Sequence, residues 1–259
     1  MRIYGLPALD SNYFWLVQPE PQKPAAYIFD PGDAAPVQTA LQQHQLTLAG
    51  IVLTHHHWDH TDGIDALLQD NAVPVYGPAS ERIAQVSHPL AEGDTLELGD
   101  GRWQVLASPG HTLEHIVYYH PTALGSGVLV AGDTLFAAGC GRMFEGTPEM
   151  FWHSLQTLAQ LPAETQMYCS HEYTLANLAF AQAVEPDNPD IAARLTRERQ
   201  KREQGRPTLP SSIGLEQATN PFLRCQHAAV VASASAFSGQ TLRSPSEVFA
   251  VLRAWKDTF

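Results

Sequence analysis

Gly50-Ile51-Val52-Leu53-Thr54-His55-His56-His57-Trp58-Asp59-His60 decides how this chain is read. An apolar run suited to a buried strand opens directly into an H-x-H-x-D-H pattern. An extended segment points residues i, i+2 and i+4 to one side, so His55, His57 and Asp59 can converge while His60, one step on, serves a neighbouring position. That spacing suits two adjacent divalent ions better than one. Imidazole together with carboxylate favours zinc, iron or manganese over calcium or magnesium, which take oxygen donors alone. Zinc is the first choice, with iron or manganese as alternatives.

A second ion needs donors from elsewhere in the chain, since one zinc is satisfied by three protein ligands and a water. Three candidates follow strand-like runs. His111 stands after the turn-forming Pro109-Gly110, Asp133 closes the apolar run Val128-Leu129-Val130-Ala131-Gly132, and His171 ends Met167-Tyr168-Cys169-Ser170. Loops at strand ends are where α/β folds commonly build their sites. Taken singly, each has a plainer use: a histidine after a Pro-Gly turn is ordinarily a surface residue, and Asp133 before Thr134 could cap a helix. Three neighbouring imidazoles and a carboxylate have few structural uses, and that cluster raises the later candidates with it.

Length and composition fit a folded enzyme. At 259 residues the chain lies where a single core stops growing and a second domain becomes the expectation; 44% hydrophobic and 16% charged residues argue against disorder. No run approaches the ~20 apolar residues of a spanning helix, and the start lacks a signal-peptide pattern. Cys140, Cys169 and Cys225 are an odd number and make no disulfide framework, so a reducing, cytoplasmic location and no membrane partner are expected. Cys140 could be read as a nucleophile, but no nearby base is evident and a small buried thiol is the favoured role. Only five of the 15 Lys and Arg precede residue 175, beside 19 of the 27 Asp and Glu. The first part is therefore strongly acidic and the remainder slightly basic. Arg194, Arg197, Arg199, Lys201 and Arg202, interspersed with Glu198 and Glu203, read as a solvated helix face, and nothing marks a nucleic-acid partner.

Short β-like runs recur at 1–4, 13–17, 26–29, 50–54, 74–76, 95–98, 103–107, 116–119, 128–131 and 166–170, with helical stretches at 35–43, 60–68 and 149–160 between them. This mixed order indicates an α/β class. After Tyr173 helices dominate. Asn188-Pro189 opens a charged helix, Ser244-Pro245-Ser246-Glu247 is a capping box, and Val248, Leu252, Trp255 and Phe259 are spaced as the buried stripe of the last helix. Arg253 and Lys256, three apart on one side of that helix, are placed either to hold an anion or to snorkel over the apolar stripe.

The motifs T-H-H-H-W-D-H at 54–60, G-H-T at 110–112, G-D-T at 132–134, C-G-R-M-F-E-G at 140–146, H-E-Y-T at 171–174, N-P-F-L-R at 220–224 and the terminal R-A-W-K-D at 253–257 resemble, over nearly the whole chain, the metallo-β-lactamase superfamily. Within it the later motifs resemble glyoxalase II, the hydroxyacylglutathione hydrolases. The resemblance implies an αββα sandwich over residues 1–173 as the metal-binding catalytic domain and a helical substrate-binding domain over 174–259. It implies one ion on His55, His57 and His111, a second on Asp59, His60 and His171, and Asp133 bridging the two with a water or hydroxide, while His56 points away. It also implies that Arg142, Tyr173, Arg253 and Lys256 meet the glutathione moiety. Phe144 departs from members that carry Tyr there, so any hydroxyl bond to substrate at that position is lost.

The implied reaction is hydrolysis of S-(2-hydroxyacyl)glutathione, typified by S-D-lactoylglutathione, to glutathione and D-lactate, the second step of methylglyoxal detoxification. Two metals supply hydroxide at neutral pH without a separate base, with Asp59 steering it as well as binding metal. The expelled thiol has a pKa of roughly 8.5–9 and needs little acid assistance to leave. That suits a site with no evident general acid. No obligate protein partner is implied. The alternative is a glutathione persulfide dioxygenase with a single iron, which would have no use for Asp59, His60 and His171 as a second site. A non-enzymatic metal-binding or regulatory module is a further class, but an open metal pair with a nearby substrate clamp is hard to explain without turnover, and a β-lactamase or nuclease would leave the terminal R-x-x-K unexplained.

Overall fold

The computed structural model describes residues 1–122 and 126–259. They fall into two compact units, one of Met1–Ala107, Glu114–Pro121 and Leu129–Gly132, the other of Ser108–Leu113, Thr122–Val128 and Asp133–Phe259.

In the first unit β1 (Arg2–Ala8), β2 (Asn12–Gln18) and β3 (Ala25–Phe29) pair antiparallel, and β4 (Thr47–Val52), β5 (Val75–Pro78) and β6 (His88–Leu90) continue the sheet in parallel. The parallel step from β3 to β4 is made by α1 (Ala34–His44), capped by the Asp33 side chain on Ala35 N. Two short helices follow β4, α2 (Trp58–Thr61) and α3 (Ile64–Asp70). Side chains alternate across a strand, so Phe14, Leu16, Ile28 and Ile51 form one core with Val37 and Ala40 of α1 and Ile64 and Leu67 of α3. The opposite face meets β7 (Thr95–Leu98), β8 (Gly101–Ala107), β9 (Ile116–Pro121) and β10 (Gly127–Gly132) of a second sheet, in the order β10-β9-β8-β7. There the Phe29 ring lies 5.6 Å from Trp103 and from Tyr118, and the Tyr118 hydroxyl donates to the Leu53 carbonyl at 2.6 Å. With both faces covered, all of β2 is buried.

The helix expected over 60–68 is broken in two. Gly63 interrupts it because its N–H donates to the Pro31 carbonyl at 2.9 Å, and a Cβ there would stand 2.5 Å from that oxygen.

The second unit contains the hairpin β11 (Leu135–Phe136) with β12 (Gly139–Cys140), α4 (Pro148–Ala159), the pair β13 (Gln166–Cys169) and β14 (Ser211–Ser212), and the helices α5 (Thr174–Val184), α6 (Pro189–Glu203), α7 (Ile213–Thr219), α8 (Ala228–Ser238) and α9 (Pro245–Thr258). Asn188 caps α6, and α9 opens with the full Ser244–Glu247 capping box. Two expectations are corrected here. The buried stripe of α9 is Val248, Phe249, Leu252 and Arg253, whereas Phe259 lies beyond the helix end and is 59% exposed. Arg194 and Glu198 do not belong to a solvated face: with Ile191 and Leu195 they make the buried side of α6. Arg194 is admitted there because Glu216, itself buried, accepts from it at 2.6 Å, and Thr219 and Ser211 take its other N–H groups.

Phe29→Ala is expected to cost about 3–5 kcal/mol in unfolding free energy, as for other buried Phe truncations. Urea denaturation of metal-free protein checks this, and a loss below about 1 kcal/mol would show that the two sheets do not share a packed core.

Candidate metal centre

The strand order of the first unit puts the carboxyl ends of two parallel neighbours side by side. Phe29 pairs with Val52, so the residues that follow each strand, Asp30 and Leu53-Thr54, leave the sheet together. Asp30 takes a left-handed φ of 50°, which Asp tolerates better than most residues. Its buried carboxylate accepts from Thr54 N and Thr54 Oγ1, both at 2.8 Å, and lies 3.2 Å from His60 Nδ1. With the Thr54 hydroxyl proton committed to Asp30, its oxygen accepts from His55 Nδ1–H at 3.0 Å, leaving the lone pair on His55 Nε2. That nitrogen is 3.0 Å from His57 Nδ1. Two ligands on one tetrahedral zinc stand about 3.3 Å apart for Zn–N of about 2.05 Å. Asp59 Oδ2 accepts from Asn12 Nδ2 at 3.0 Å and lies 3.6 Å from His60 Nε2. His56 turns elsewhere: its Nδ1 meets Glu114 Oε1 and its Nε2 accepts from Arg82 Nη1 at 3.0 Å.

In the second unit Asp133 Oδ2 lies 3.5 Å from His111 Nε2 and 3.4 Å from His171 Nε2. This near-equal reach is what a bridging carboxylate needs. His111 Nδ1 donates to the Arg142 carbonyl at 2.7 Å. The bond fixes the tautomer and leaves Nε2 unprotonated, the usual outer partner of a metal-bound histidine.

Three groups of donor atoms each lie within 4.8 Å of one another: His55, His57 and His111; His55, His60 and Asp133; Asp59, His60 and His171. His55, His60, His111, Asp133 and His171 are buried. Overlapping groups of imidazole nitrogen and carboxylate oxygen, with no thiolate among them, fit a pair of divalent ions of the zinc, iron or manganese type. These groups are candidate sites for a two-metal cofactor.

The remaining expected site residues all lie in the second unit. Tyr173 stacks on His171 with ring centroids 4.7 Å apart and planes within 2°, and Phe144, 59% exposed, stands edge-on to His111 at 5.4 Å. Arg142 is exposed, with its Nε 3.4 Å from Asp257 Oδ1. Arg253 and Lys256 differ in surroundings. The Arg253 guanidinium is buried over the Phe222 ring; it donates to the carbonyls of Cys140 and Gly141 at 3.1 and 3.3 Å and to Asp257 Oδ1 at 3.0 Å. The Lys256 ammonium sits over Phe180 and Phe259, and burial first, then the Arg253 charge, lower its pKa. Cys140 is no nucleophile, because burial pushes its thiol up to about 11 despite the adjacent Arg253.

A profile of the metallo-beta-lactamase superfamily matches residues 8–171, and one of the hydroxyacylglutathione hydrolase C-terminus matches residues 172–259. The hydroxyacylglutathione hydrolase of Nitrosomonas europaea is 49% identical over 261 residues, 100% of this chain and 97% of its own. That of Pseudomonas fluorescens is 50% identical over 260 residues, 100% of both chains. Among solved structures, that of ETHE1 from Myxococcus xanthus superposes with a TM-score of 0.64 at 24% identity, covering 100% of this chain and 99% of that one. The fold is the αββα sandwich with a C-terminal helical extension.

Asp30, Thr54, Asn12 and Glu114 were not singled out by the sequence, although each orients a side chain of the H-x-H-x-D-H segment. Asp30 had one signal, Phe29-Asp30-Pro31-Gly32 closing a strand, but Asp-Pro-Gly reads first as a turn. Asp30→Asn keeps the shape and removes the charge facing His60. It is expected to weaken zinc binding about 10- to 100-fold, measured by chelator competition on folded protein; wild-type affinity would show that Asp30 shapes only the turn.

Proposed function

The chain belongs to the hydroxyacylglutathione hydrolases of the metallo-β-lactamase superfamily, and on that premise we propose that it hydrolyses S-(2-hydroxyacyl)glutathione thioesters, typified by S-D-lactoylglutathione, to glutathione and a 2-hydroxy acid such as D-lactate. The observation that carries this reading is the overlap of three donor groups through His55 and His60. His55, His57 and His111 would hold one ion and Asp59, His60 and His171 the second, with Asp133 placed to serve both. Zinc is the proposed metal, with iron or manganese able to use the same donors. Such ions, when bound, bring the pKa of a coordinated water from 15.7 to about 7 and polarise a carbonyl oxygen.

The protein's own groups do the rest. Asn12 holds the Asp59 carboxylate in place, and Asp59 orients the attacking oxygen. Tyr173, flat against His171, and Phe144, edge-on to His111, form walls for the thioester. The helical part, 174–259, adds the substrate clamp to a catalytic part, 1–173. Lys256 and the exposed Arg142, whose Nε lies 3.4 Å from Asp257 Oδ1, are the proposed partners of a substrate carboxylate; Arg253 orients the segment around Cys140 and Gly141 as well as lending charge. Three free, buried cysteines suit a reducing, cytoplasmic setting, and no helix among the described residues is long and apolar enough to cross a membrane. A single-iron persulfide dioxygenase is the lesser reading, because it leaves Asp59, His60 and His171 without a task.

Lys256→Ala is expected to raise KM for S-D-lactoylglutathione about tenfold, the worth of one charge-assisted hydrogen bond, and to leave KM for small thioesters unchanged. Arg253→Ala should also lower Tm, since it frees two buried carbonyls; equal effects of Lys256→Ala on both substrates would remove Lys256 from the clamp. KM for the glutathione substrate should rise with pH at a lower pH than for an ordinary lysine, because the lowered pKa of Lys256 sheds its proton sooner. The function itself is tested by thioester hydrolysis with metal-loaded protein, lost on chelation and restored by zinc. Metal-loaded protein that leaves the thioester intact, or consumes oxygen with glutathione persulfide, would contradict it.

A further inference from the structure

The segment between Asp133 and Arg142 has little regular pairing: its hairpin joins only Leu135 to Cys140 and Phe136 to Gly139. Its carbonyls are instead held by side chains. Those of Phe136 and Gly139 accept from Asn220 Nδ2, that of Ala137 from Asn177 Nδ2, those of Cys140 and Gly141 from Arg253 Nη1, and that of Arg142 from His111 Nδ1. Ala138, at a left-handed φ of 58°, donates its N–H to Glu216 Oε2 at 2.7 Å. Donors from α5, the end of α7 and α9 therefore grip one loop. The loop lies directly on proposed metal ligands, for a Cβ at Gly141 would fall 2.0 Å from the Asp133 carbonyl oxygen and 2.9 Å from His111 Nδ1.

Glu216 is the hub. Its Oε1 accepts from Arg194 Nη2 at 2.6 Å and from Ser211 Oγ; its Oε2 accepts from Ala138 N and, at 3.1 Å, from Asn220 Nδ2. Four donors converge on two oxygens, and Glu216, Arg194, Ser211 and Asn220 are all buried. Only an ionised carboxylate satisfies all four, and Arg194 balances its charge. A buried ion pair is weak evidence for stability, since apolar residues fill such space at no loss; its better-attested use is to specify one arrangement.

We infer that Glu216 is a positioning residue: by fixing Ala138 and Asn220 it sets the 136–142 backbone, and through it the Asp133 carboxylate and the His111 ring, in the geometry that takes up metal. The inference rests on the two-metal reading. It gives the helical part a task besides substrate binding, the preorganisation of ligands that lie outside it in sequence.

Glu216→Gln tests this. The amide offers one oxygen and an NH2, so two of the four bonds become donor against donor. Zinc alone is the probe, titrated against a competing chelator into metal-stripped protein, at a temperature where circular dichroism shows wild type and variant folded. The expected result is zinc binding weakened about tenfold or more, in the range for residues that orient metal ligands, with KM for S-D-lactoylglutathione at saturating zinc within about twofold of wild type. Val230→Ala, a truncation in the α8 core, is the control: it lowers Tm and leaves zinc affinity alone. Should Glu216→Gln not fold, Asn177→Ala, which frees only the Ala137 carbonyl, is measured in its place and should weaken zinc binding by about threefold or more. Wild-type zinc affinity in the folded variant overturns the positioning role. Wild-type protein that binds no zinc overturns the two-metal reading instead.

Discussion

Buried imidazoles and carboxylates must be both neutralised and oriented, and the structure is organised around that demand. A carboxylate such as Asp133, buried between His111 and His171, is costly in a low-dielectric interior unless positive charge stands beside it. In the proposed two-metal site divalent ions would answer the charge, and fixed partners on the far side of the rings answer the orientation. His55 is turned by Thr54, which is itself turned by Asp30; His60 faces the same Asp30; His111 is pinned by the Arg142 carbonyl. Each of these partners stands at the end of a strand or in a side-chain-held loop, so the sheets and the loop are what deliver the ligand geometry.

A second layer of constraint comes from the helices after Tyr173. They do not simply extend the fold. Asn177, Glu216, Asn220 and Arg253 supply the hydrogen bonds that a two-residue hairpin cannot make for itself. The same helices carry Lys256, whose apolar surroundings lower its pKa. On the proposed function, one structural part would join support for the ligands to a charged surface for the substrate, with Arg253 bound to the Cys140 and Gly141 carbonyls and Lys256 set over Phe180 and Phe259.

Much of this was legible in the sequence, and the misses have physical causes. Most of the longer strands, the candidate ligand motifs and the capping box declare themselves by period and spacing, as did the α/β class, whereas the short strands β6, β11, β12 and β14, of two or three residues, carry too little pattern to be read. Asp30 was missed because its partners are distant in sequence and Asp-Pro-Gly has a ready local explanation. Arg194 was misread because charge alone signals solvent; its place at the buried positions of α6, with Ile191, Leu195 and Glu198, becomes intelligible only once Glu216 is seen opposite it. The break at Gly63 depends on the Pro31 carbonyl, a contact set by tertiary structure. Phe259 has the spacing of a buried stripe but falls past the last turn of α9.

The most direct test of the two-metal site is a titration of metal-stripped protein with zinc, following bound metal and S-D-lactoylglutathione turnover together. Turnover that rises with the second equivalent is the expected result. Full activity at a single equivalent, with no further gain as more zinc binds, would contradict a reaction that needs both ions.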